Sequence, residues 1–107
     1  MAEIPAVLLR HRVDVEPYLG SGAHGDAYGP PVRVRAQVDE KRRLVRDKSG
    51  AEVVSEATLR GRLATESHYP PGSRVTLPTG RVTWVISAHR HDDAGLGGWQ
   101  HTEVVLA

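Results

Sequence analysis

Apolar and polar residues alternate along most of this chain. From Leu8 to Glu16 the run LLRHRVDVE sets Leu9, His11, Val13 and Val15 on one side and Arg10, Arg12, Asp14 and Glu16 on the other. That period of two is the mark of a half-buried strand, which Pro17 ends. Val32 to Glu40 repeats the pattern, with Val32, Val34, Ala36 and Val38 facing Arg33, Arg35 and Gln37. Arg74 to Leu77, a Pro78-Thr79-Gly80 turn and Val82 to Ala88 predict a hairpin, with Val82, Trp84, Ile86 and Ala88 as its core-facing series. Thr102 to Leu106 supplies a last strand.

The intervening segments are of three kinds. Tyr18 to Pro31 holds four glycines and ends in two prolines, which predicts a long loop, either functional or disordered. In KRRLVRDKSGAEVVSEATLRGRL, Asp47-Lys48-Ser49-Gly50 has turn chemistry. Arg42 to Arg46 would then pair with Glu52 to Glu56 as a hairpin, bases facing acids. A helix over Ala51 to Leu63 competes with it, since Glu, Ala, Leu and Arg favour helices; the hairpin is preferred. His68-Tyr69-Pro70-Pro71-Gly72 breaks regular structure. Six or so short strands with Pro/Gly turns predict a mainly β chain, a small barrel or sandwich.

Composition narrows this picture. At 107 residues the chain is expected to be one domain, residues 1–107. There is no Phe, so the core must come from Val, Leu and Ile, which suit pleated packing. Lys plus Arg number 14 and Asp plus Glu 13, and the net charge of +1 gives no global attraction to nucleic acid or anionic membrane. With no cysteine, disulfides and thiolate metal sites are excluded. The start, MAEIP, lacks the features of a secretory signal, and no apolar run approaches the roughly 20 residues of a membrane span, so a soluble protein is expected.

Candidate chemistry is sparse. His89, His91, Asp92, Asp93 and His101 offer imidazole and carboxylate donors suited to a divalent ion, but their spacing matches no signature and equally suits a solvated loop. The serines lack a nucleophile context, and Gly20-Ser21-Gly22 is not a phosphate loop, so no catalytic residue and no cofactor is expected. Arg33, Arg35, Lys41, Arg42, Arg43, Arg46 and Lys48 form a basic run without aromatics, more simply read as the paired face of a hairpin that suits subunit docking. Trp84 is expected in the core. Trp99, after Gly97-Gly98, is either a packing anchor against a neighbour or a lid over its own fold.

The order of segments carries a resemblance. A first alternating strand leads to Gly25, Asp26, Tyr28, Gly29, Pro30 and Pro31, then to VRVRAQV. Lys41 to Ser55, PPGSRVTLP (Pro70 to Pro78) and the run Val85 to Leu106 follow. In this order the chain resembles the head-closure, or head-to-tail stopper, proteins of long-tailed bacteriophages, particularly those of actinobacterial hosts. The resemblance implies a small β-barrel of about six to seven strands with a projecting charged hairpin and long Gly/Pro-rich loops. It also implies a homo-oligomeric ring, usually twelvefold, at the virion neck, assembled in the bacterial cytoplasm. Its partners would be the portal adaptor above, a tail terminator or tail tube protein below, and double-stranded DNA passing without sequence-specific binding. Lys41, Arg42, Arg43, Arg46, Asp47, Glu52 and Glu56 would then belong to a subunit interface, with Tyr28, Leu96 and Trp99 on the glycine-rich loops. The alternatives are a neighbouring connector (adaptor or tail terminator) or a small barrel that binds nucleic acid or metal.

Overall fold

The structure is a computed structural model that describes residues 4–47, 49–91 and 100–107. It is mainly β, and the described residues form no α-helix. In chain order the strands are β1 (His11–Glu16), β2 (Tyr18–Gly22), β3 (Gly25–Tyr28), β4 (Val32–Asp39), β5 (Arg43–Arg46), β6 (Glu52–Ser55), β7 (Ala57–Gly61), β8 (Arg74–Thr76), β9 (Val82–His91) and β10 (His101–Leu106). Six of them join in the order β1-β4-β7-β10-β9-β8, and β8 returns to β1, so the sheet closes on itself. All of these pairings are antiparallel. The other four strands form two hairpins, β2–β3 and β5–β6, outside the closed sheet.

The core follows from the alternation. Val13 and Val15 of β1, Val34 and Ala36 of β4, Leu59 of β7, Val75 of β8, Val85 of β9, and Val104 and Leu106 of β10 are buried together. Each fully buried Val or Leu contributes about 1.5–3 kcal/mol of transfer free energy. Tyr69 is the largest fully buried side chain. It follows a 3-10 segment, Leu63–His68, that packs against β9 and β10. Two buried hydroxyls bond to the backbone of the sheet: Thr83 donates to Val75 O at 3.0 Å, and Ser55 donates to Ala57 O at 2.9 Å.

The strands predicted at Leu8–Glu16, Val32–Glu40 and Thr102–Leu106 form, as does the hairpin around Asp47. One expectation fails in an instructive way. Tyr18 to Pro31 is an ordered hairpin, not a loop. Tyr18 pairs with Tyr28 and Ser21 with Asp26; Ser21 donates to the Asp26 carboxylate at 2.6 Å, and Tyr18 Oη also donates to it, at 3.2 Å. Gly25, at φ +93°, supplies the left-handed turn that other residues resist. The competing helix over Ala51–Leu63 does not form; β6 and β7 occupy that stretch. Strand β7 is buried on both faces, so packing overrides its helix propensity.

The face of β9 is the second correction. Val82 and Trp84 were expected inside, yet both are exposed, Trp84 at 45%, while Thr83 and Val85 are buried. The ladder with β10 explains it: Val105 pairs with Ser87 and Leu106 with Val85, so Ile86 is the extra residue of a bulge. Ala88, beyond the bulge, packs on the core as expected. One inserted residue reverses the faces of everything before it.

Candidate functional site

The two hairpins rise beside one another and flank a groove of about 480 Å³. Tyr18, Asp26 and Tyr28 line it from β2–β3, and Asp47 and Val53 from β5–β6, with Trp84 also in its lining. Tyr18 and Tyr28 meet edge to face, their ring centroids 5.8 Å apart. Gly72 lets this hairpin approach: a Cβ there would meet the Tyr18 ring at 3.3 Å, and its φ of +92° already favours glycine. The Tyr18 N–H donates to Ser73 Oγ at 2.9 Å, which fixes the base of the hairpin to the sheet.

Of the charged residues predicted as an interface, Arg43, Arg46 and Glu52 lie on β5–β6 and Lys41, Arg42, Asp47 and Glu56 directly flank its strands, but most of them are paired within the chain. Arg42 bonds Glu56 at 3.2 Å, and Arg43 Nη2 donates to Glu103 Oε1 at 2.7 Å. Arg46 lies 3.8 Å from Glu52 and donates to Gly50 O at 2.7 Å. Asp47 accepts from the Ser49 hydroxyl and from the Ser49 and Ala51 amides, which holds its carboxyl below the usual range. Lys41 is exposed. Arg43 and its partner thus anchor the hairpin to β10.

What the charge pattern concealed is apolar. Leu44 and Val54 face each other across β5–β6, 68% and 43% exposed. Because Val53 lines the groove, the alternation of the strands turns Leu44 and Val54 to the opposite, outer face. Leu19, at a ladder irregularity in β2, is exposed as well. The only sequence signal for these residues was an apolar LV and VV on each arm of a hairpin too short to hold a core.

The histidine cluster is partly assembled. His91 and His101 are direct partners in the β9–β10 ladder, and their rings stack at 4.9 Å with planes 4° apart. His91 Nε2 is 3.3 Å from Glu103 Oε2, and one donor atom from each of the three residues lies within 4.8 Å of the others. Burial works against the Glu103 carboxylate, but the hydrogen bond from Arg43 and the nearby His91 and Arg60 outweigh it and lower its pKa. Glu103 was not among the residues singled out from sequence. His89 instead meets Ser87, its Nε2 3.1 Å from Ser87 Oγ. Asp92, Asp93, Leu96 and Trp99 lie outside the described residues.

No family model and no curated protein matches this sequence.

Proposed function

We propose that this protein is a structural connector of a tailed-phage virion, a head-closure protein that forms a homo-oligomeric ring below the portal and its adaptor. In this role the closed sheet acts as a small barrel whose ring extends the DNA channel, helps retain the packaged genome and docks the tail. The observation that carries the reading is the pair of hairpins raised from the closed sheet, with Leu44, Val54 and Leu19 exposed on them. A lone two-stranded hairpin is marginal in water, and exposed apolar side chains gathered on one are the material of an interface. The order of sequence segments supplies the phage context, and a net charge of +1 suits a conduit past which DNA must slide without sticking. Adaptors are typically helical, and the absence of an α-helix among the described residues favours the head-closure role.

The test is assembly. The purified chain is mixed with portal–adaptor particles from a phage that encodes it and imaged by electron microscopy. The expected result is a ring added below the adaptor, lost in the Leu44→Asp/Val54→Asp variant. A chain that adds no density to those particles overturns the proposal.

A further inference from the structure

We propose that His91, His101 and Glu103 form a binding site for one divalent transition-metal ion, zinc foremost, on the outward face of the β9–β10 ladder. The strand register builds it. His91 and His101 are opposed Cα partners, and Glu103 lies two residues beyond His101, so all three side chains project from the same face of the pleat. The stacked rings and the carboxylate already bring three donor atoms within 4.8 Å of one another. A tetrahedral zinc with bonds of about 2.0–2.1 Å holds its donors about 3.3 Å apart. The His91 Nε2–Glu103 Oε2 distance is 3.3 Å. The third donor belongs to the half-buried His101 and lies within 4.8 Å of the other two; the exposed His91 ring would turn out of its stack with His101 to share an ion with it.

The second carboxylate oxygen is accounted for. Arg43 donates to Glu103 Oε1 at 2.7 Å, which orients the carboxylate and leaves Oε2 turned to the imidazoles. Outer partners of this kind commonly fix metal-binding groups. Two neutral imidazoles and one carboxylate oxygen favour Zn²⁺, Co²⁺, Ni²⁺ or Cu²⁺ over Mg²⁺ or Ca²⁺, which demand several oxygens. Three protein ligands leave a fourth position for water or for a group from outside the chain. The ion would bridge the two strand ends that flank residues 92–100, clamping β9 to β10 where their connection begins and ends.

The experiment is calorimetric titration of the tag-free chain with ZnCl₂, with MgCl₂ as control and Co²⁺ absorption to report coordination. One equivalent of Zn²⁺ should bind and Mg²⁺ should not. His91→Ala and His101→Ala should each weaken Zn²⁺ binding at least tenfold and Glu103→Gln several-fold, with His24→Ala unchanged. Circular dichroism confirms that each variant is folded, and Glu103→Gln, which keeps the side chain's shape, guards against loss by misfolding. Absence of saturable one-to-one binding, or affinity retained in the His91→Ala/His101→Ala double variant, overturns the site. Ring assembly is read separately, so failure here leaves the connector reading standing and the converse also holds.

Discussion

Arg74 and Glu16 face each other across the β1–β8 ladder, and the guanidinium grips both carboxylate oxygens, Nε to Oε1 at 3.1 Å and Nη2 to Oε2 at 2.6 Å. The same guanidinium lies 4.6 Å from the centre of the Tyr28 ring. One side chain therefore joins the closed sheet to the first hairpin, by a planar fork on one side and a cation over an aromatic face on the other.

This pair makes stability depend on pH. The hydrogen bond from Arg74 outweighs burial and holds Glu16 below its ordinary value of 4.5. A carboxylate depressed in the folded state adds stability above its unfolded pKa, and that stability is lost as pH falls through the folded one. Glu16→Gln should be less stable than the parent at pH 7 and should lose less on acidification below 4.5. Urea unfolding at both pH values checks this; parallel losses for parent and variant would remove Glu16 from the account.

Tyr69 carries a buried hydroxyl with no hydrogen-bond partner among the described residues, and burial pushes its pKa up. An unpartnered buried hydroxyl costs about 1–3 kcal/mol. Tyr69→Phe, which keeps the ring, should leave the urea midpoint unchanged or raise it. Tyr69→Ala should lower stability by about 3–5 kcal/mol, as for other large core aromatics. A clear loss in Tyr69→Phe would mean that the hydroxyl is satisfied.

Two arginines on the same strand should behave differently. Arg43→Glu places a like charge beside the half-buried Glu103 and should cost about 1–2 kcal/mol after allowing for solvent screening. Arg46, whose pair with Glu52 is exposed and 3.8 Å long, should cost less than about 0.5 kcal/mol when changed to Glu. Chemical denaturation of both variants decides, and equal costs would contradict the anchoring role of Arg43. Only Arg46→Glu is thus a clean probe of docking by the charged hairpin.

Leu44→Ser with Val54→Ser should change monomer stability by less than about 0.5 kcal/mol, because both side chains are already exposed. The same variant should abolish joining to portal–adaptor particles. Unfolding curves together with electron microscopy separate the two effects, and normal joining would clear this face of a docking role.

The strands of the closed sheet were legible wherever one face is buried and the other wet, as at Val13, Val15, Val34 and Ala36. Legibility failed where that contrast is missing. In β7 both faces are buried, so Ala57, Thr58 and Leu59 show no period and resemble a helix by composition. In β9 the alternation is real but its sign is set by the bulge at Ile86, which no count of apolar residues reveals. The second hairpin was visible through its turn, yet its charges drew attention from Leu44 and Val54. Charges on neighbouring strands advertise themselves as an interface even when, like Arg43 and Glu103, they satisfy one another. The metal donors were only half visible, since Glu103 joins His91 through a ladder that sequence distance hides.

Closure of the main sheet has a further consequence for how this chain can meet another. Each of its six strands has a neighbour on both sides, whereas every strand of the two hairpins has one. Among the described residues, the free sides of β2, β3, β5 and β6 therefore carry backbone donors and acceptors with no strand partner, the Tyr18 N–H being taken by Ser73 Oγ. An extended segment from another chain that recognises this protein by adding a strand has its templates there, on the same arms that display Leu19, Leu44 and Val54.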